Sequence, residues 1–99
     1  MVFKISYLLS AQKDIDEAIE WYELQRKSLG ALFLDKINAT EKIIQNNPLQ
    51  FQKVYKNIHR ANLIIFPFNI FYHVQNETVI VIAVLHQKRN PGTWKKRIR

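Results

Sequence analysis

Val79 to Leu85, VIVIAVL, is a run of seven consecutive apolar residues, five of them β-branched. A strand with one wet face alternates, and an amphipathic helix repeats every three to four residues. A short run that does neither is expected of a strand covered on both faces. The rest of the chain must therefore supply two covering layers. Beyond Leu85 the run delivers His86, Lys88 and Arg89 into solvent, so the chemistry or the main contact surface is expected where this strand ends.

Ninety-nine residues, 47% of them hydrophobic, with two glycines and three prolines, describe one compact domain spanning 1–99. The absence of cysteine excludes a disulfide framework and a thiolate zinc site. The opening MVFKISYLLSAQKD is interrupted too soon for a signal peptide, and no stretch approaches the roughly 18 apolar residues of a membrane span. A cytoplasmic protein with no membrane contact is the expectation.

The net charge of +7 is unevenly placed. Residues 1–47 carry six Lys/Arg against seven Asp/Glu, whereas residues 48–99 carry nine against Glu77 alone. The positive field therefore belongs to the second half, and from Lys88 to Arg99 there are six cations and no acid. Such a run is either a solvated tail or a contact for phosphate or an acidic protein. Lys56, Arg60, Lys88, Arg89, Lys95, Lys96 and Arg97 are the candidate contacts with a target or nucleic acid.

Val2 to Leu8 suits a first strand. Ser10 is placed to cap a helix whose early turns hold Asp14, Asp16 and Glu17, and whose apolar stripe is Ile15, Ala18, Ile19 and Tyr22 with Trp21 beside it, ending near Lys27. Ser28 is placed to cap a second helix with the stripe Leu29, Leu32, Phe33, Ile37, Thr40 and Ile44, which Asn46, Asn47 and Pro48 stop. Two such helices form an antiparallel hairpin that buries its stripes on a sheet. Lys56–Leu63 and Phe68–Val74 supply strands, the second with Phe68, Ile70, Tyr72 and Val74 on one face. Gln75–Thr78 turns the chain into the apolar run. The predicted class is α+β, an N-terminal strand and a two-helix hairpin packed on a mainly antiparallel sheet in the order β-α-α-β-β-β.

No glycine-rich phosphate loop, paired-histidine metal motif or nucleophile elbow is present. His59, His73 and His86 fall on three different strands, away from the carboxylates, so no metal and no cofactor are expected. His86 beside Lys88 and Arg89 has the chemistry for proton transfer near a phosphate, as metal-independent RNA cleavage requires. The simpler reading is a strand-end histidine bonded to backbone. His59 and Arg60 on a neighbouring strand have the means to converge on the same face, depending on register. Trp94 either stacks on a base or anchors the tail on the sheet, and burial gains a large aromatic more.

IHRANLIIFPFNIFYHV followed by VIVIAVLHQKRNPGTWKKR, behind two amphipathic helices, resembles the RelE/ParE superfamily of type II toxin–antitoxin toxins, in the ParE-type or plasmid-stabilisation branch. Arg60, Phe66-Pro67-Phe68, Ile70, Tyr72, His86, Arg89, Pro91 and Trp94 carry the likeness, which spans essentially the whole chain. It implies the β-α-α-β-β-β core and a growth-inhibiting toxin neutralised when a segment of its cognate antitoxin wraps it. RelE-like members cut messenger RNA on the ribosome with sheet cations and a C-terminal tyrosine; ParE-like members poison DNA gyrase. This chain has Asn69 where RelE-like chains carry a strand arginine, and Trp94 in place of the tyrosine. Neither can replace what is missing.

Three functions follow from the resemblance. The first is a toxin that acts by binding, with gyrase as target and the basic C-terminal region as contact surface. The second is a ribosome-dependent endoribonuclease in which His86 transfers the proton and Arg60 and Arg89 clamp phosphate. The third is an inactive toxin retained as an antitoxin-binding module.

Overall fold

The computed structural model describes residues 2–98. Strand β1 (Lys4–Tyr7) leads into helices α1 (Leu9–Gln25) and α2 (Leu29–Asn46). A 3-10 turn (Pro48–Gln50) follows, then strands β2 (Lys53–Tyr55), β3 (Ile58–Asn62), β4 (Phe68–Gln75) and β5 (Thr78–His86), and a short helix α3 (Gly92–Lys95). The strands form one sheet in the order β1-β5-β4-β3-β2, with β1 parallel to β5 and the other pairs antiparallel. The expected α+β hairpin-on-sheet is therefore present, with β2 and α3 added to it. The apolar run forms β5, which is an interior strand; β4 holds the centre.

Local chemistry departs from the predicted caps. α1 starts one residue before Ser10, with Leu8 at the cap position and no side-chain cap. Ser28 occupies the cap position of α2, but it lies in the left-handed region at φ 73° and its hydroxyl makes no cap bond. Glu23 of α1 does that work, its carboxylate accepting the Ser28 and Gly30 backbone N–H groups, both at 2.9 Å. The cap thus comes from the partner helix, which ties the two helices together at their turn. Gly30 is required there, because a Cβ would stand 2.7 Å from the Ile19 carbonyl oxygen. Asn47 and Pro48 end α2 as expected, with proline at the first position of the turn that follows. The strand expected over Lys56–Leu63 is instead the second arm of a tight hairpin, since Lys56 takes φ 50° and turns the chain back on β2.

Both helical stripes pack on one face of the sheet. Ala11, Ile15, Ala18, Phe33, Ile37 and Ile44 meet Ile70, Tyr72, Val79, Val81 and Val84. Tyr22, Phe33, Phe66 and Phe68 interlock at centroid distances of 4.8 to 5.9 Å. The other face carries Ile58, Phe71, Ile82, Ala83 and Leu85 under Trp94. β5 is thus covered twice, by the hairpin and by the chain's own tail, as its unbroken apolar run requires.

Two phenols, Tyr72 buried and Tyr7 half-buried, tie this framework to pH. Tyr72 donates to the Pro48 carbonyl at 2.5 Å, and burial raises its pKa far above 10. Tyr7 donates to Glu41; burial first, then that bond and the carboxylate's charge, raise its pKa likewise. The unfolded chain releases these protons near pH ~10 while the folded chain keeps them. Stability is therefore expected to hold below about pH 10 and to fall as pH rises beyond it. Phenolate absorbance from Tyr7 and Tyr72 should appear together with loss of the folded circular dichroism signal. Phenolate that forms in an intact fold would contradict this.

Candidate functional site

A β-bulge positions the end of β5. Tyr72 of β4 pairs with Val81 and Phe71 with Ala83, so Ile82 is an extra residue on β5. The extra residue shifts the strand's alternation by one. Before it Val79 and Val81 face the helices, and after it Val84 does, while Ala83 and Leu85 turn to the opposite face. The polar groups that a bulge exposes are met by side chains. Asp14 Oδ2 accepts the Val84 backbone N–H at 3.0 Å, and Arg97 Nη1 donates to the Ile82 carbonyl at 3.0 Å. Asp14 and Arg97 also bind each other through two contacts, at 2.6 and 3.2 Å.

His86 follows this shifted alternation. Its ring lies edge-on to Phe68 at 5.4 Å, on the helix side, next to a recess formed with Ala18, Trp21 and Tyr22. Its Nδ1 lies 3.0 Å from the Lys88 backbone N–H. A backbone N–H can only donate, so Nδ1 is the acceptor and the neutral ring carries its proton on Nε2. This is the backbone-bonded strand-end histidine that its position in the sequence implied.

Arg60 pairs with Phe71 across the β3–β4 ladder and stands on the tail side of the sheet. There a cleft of about 100 Å³ is lined by Val54, Arg60, Asn69, Phe71, Leu85, His86, Gln87, Arg89, Pro91 and Trp94. The three residues predicted to work together, Arg60, His86 and Arg89, all border it, with His86 at its end and its ring against Phe68. Trp94 forms the opposite wall, 6% exposed and stacked on Phe71 at 4.6 Å and 20°. It is the tail anchor, and a buried ring is not available to a base.

The remaining predicted contacts divide. Lys56 from the β2–β3 turn and Lys95 from α3 approach the Tyr55 ring from either end of the sequence, at 5.3 and 4.6 Å. Lys95 adjoins the cleft wall at Trp94, whereas Lys56 borders a separate recess with Ile80, Ile82 and Arg97. Lys88 and Lys96 are exposed. Arg97, expected in the contact surface, is held in the Asp14 ion pair, because it completes the bulge. Among the described residues, no group of three or more His, Asp or Glu could hold a metal ion, and no helix is long and apolar enough to cross a membrane.

In the sequence Asn69 stands out only as a missing cation. In the structure it is 7% exposed, and its Oδ1 is buried with no hydrogen-bond partner. The signal was the alternation of β4: if Phe68, Ile70 and Tyr72 face the helices, Asn69 must face the tail. The structural work of Asp14 carried no such signal, since an acid early in a helix already has a sufficient reason to be there.

A helical hairpin over one face of a mixed sheet, with a basic tail pinned across the other, defines the fold. It is the fold of a chain in the chromosomal ParDE toxin–antitoxin system from P. aeruginosa, with TM-score 0.76 and 13% identity over 86% of this chain and 96% of that one. It is also that of a chain in the RelBE2 toxin–antitoxin complex from Mycobacterium tuberculosis, with TM-score 0.62 and 12% identity over 87% and 99%. No curated protein sequence matches the chain. Residues 5–91 match the family described as ParE toxin of type II toxin–antitoxin system, parDE, and the chain belongs to that family.

Proposed function

We propose that this toxin acts in the cytoplasm by binding, with DNA gyrase as its target and the basic face around Arg60, Arg89, Lys56 and Lys95 as the contact surface, until a cognate antitoxin covers it. The carrying observation is the state of His86. To take a proton from a ribose 2′-hydroxyl, Nε2 must be unprotonated, which would require the other tautomer and sacrifice the Lys88 bond. No carboxylate, phenol or thiol lines the cleft to take its place. Two arginines without a proton-transfer partner can hold an anion but cannot run acid–base chemistry on it.

The test is induced expression without antitoxin, followed by plasmid supercoiling and messenger RNA ends in the same cultures. Lost supercoiling or trapped double-strand breaks with intact transcripts are expected. The triple charge reversal Lys88→Glu, Lys95→Glu, Lys96→Glu, which spares Arg97, should cost more toxicity than His86→Ala. Transcript ends at ribosome-occupied codons, with toxicity abolished by His86→Ala, would replace this reading with the endoribonuclease. Unimpaired growth on expression would leave an inactive, antitoxin-binding module.

A further inference from the structure

We infer that the cleft between Arg60 and Arg89 is a slot for one acidic side chain of an extended peptide segment on the protein target, an inference that rests on the binding reading above. Three features define what fits. The first is charge. Neither Arg60 nor Arg89 has an acid partner among the described residues, where the one ion pair is Arg97 with Asp14, and no carboxylate lines the cleft. A guanidinium fork held without a counterion is suited to a carboxylate or a phosphate.

The second is size. The cleft, about 100 Å³, has ample room for a carboxylate or phosphate group. Trp94, the aromatic wall, is already stacked on Phe71 and offers no free ring face on which a base could lie.

The third feature separates peptide from the DNA backbone. Asn69 is buried on the cleft wall with an unpartnered Oδ1, and a buried acceptor left open is unfavourable. The terminal torsion of asparagine is soft, so the carboxamide can turn its oxygen towards the cleft when a donor arrives. A phosphodiester brings acceptors only. An acidic residue in an extended peptide brings both what the arginines need, a carboxylate, and what Asn69 needs, a backbone N–H. The cleft therefore asks for an anion and an N–H donor within one small group.

The isotope-labelled full chain should be titrated at low salt with the N-acetylated, C-amidated peptide Gly-Glu-Gly-Asp-Gly, with hexathymidylate, and with inorganic phosphate, following the Asn69 side-chain amide and the arginine Nε–H signals. The peptide is expected to shift all three groups. Asn69→Leu should weaken the peptide at least about threefold, the worth of one hydrogen bond, without weakening hexathymidylate, and Arg89→Gln should weaken both. Asn69→Ser serves as a second variant if the leucine disturbs the fold. Peptide affinity unchanged in both Asn69 variants, or phosphate or hexathymidylate moving the Asn69 amide as far as the peptide does, would overturn the slot. Gyrase supercoiling measured with the same samples keeps the readings apart. A protein that inhibits gyrase but ignores the peptide overturns the slot alone, and one that binds the peptide but spares gyrase overturns the gyrase reading.

Discussion

Trp94→Ala is expected to remove about 3–5 kcal/mol of stability, the usual cost of truncating a buried large aromatic. The indole is 6% exposed, stacks on Phe71 and packs with Ile58, Ile82 and Leu85. Few other side chains cover that half of the sheet. Without it, five apolar residues of the tail-side face would meet water, and the last turn, which holds Lys95 against Tyr55, would lose its anchor. Urea unfolding of the two proteins measures the difference. Trp94→Phe should recover about half of the loss, because a smaller ring still stacks on Phe71 while leaving a void. A loss below about 1 kcal/mol for Trp94→Ala would mean that the tail does not form the second covering layer.

Asp14→Ala is expected to cost about 2–4 kcal/mol, since one deletion strands both the Val84 N–H and the Arg97 guanidinium. The pair is only partly exposed, 10% at Asp14 and 20% at Arg97, so solvent can replace little of what is lost. Asp14→Asn separates the two contributions. Its amide oxygen can still accept from Val84, so it should retain the backbone bond, lose the charge, and cost about half as much. Equal losses in the two variants would mean that the bond to Val84 contributes nothing and that the ion pair acts alone. The outcome bears on function as well as on stability. Arg97 is the last described tie between the tail and α1, and the tail forms one wall of the Arg60–Arg89 cleft.

Much of this arrangement could be read from the chain. The unbroken run Val79–Leu85 demanded two covering layers, the 3.6-residue stripes of α1 and α2 supplied one, and the alternation of β4 assigned Phe68, Ile70 and Tyr72 to the correct face. The features that escaped are those that depend on distant partners. Ser10 and Ser28 have the right chemistry for caps, but Glu23 reaches the second site from another helix, and a propensity cannot foresee a competitor. β2 was missed because three residues carry too little pattern to register as a strand. The candidate cleft was half legible. Arg60, His86 and Arg89 do meet at one place, yet the direction of the His86 ring was hidden, because seven apolar residues in succession show no alternation whose break could be noticed.

That hidden break decides where the imidazole lies. With the bulge closed and Ile82 paired opposite Phe71, strict alternation along β5 would turn Ala83 and Leu85 to the helices, and the side chain at position 86 would point to the tail side, among Arg60 and Arg89, instead of lying on Phe68. An imidazole flanked by two guanidiniums is the makings of a nuclease, whereas guanidiniums alone are the makings of a grip. In this architecture the two arrangements differ by a single β-bulge, which redirects the imidazole without altering one charged side chain.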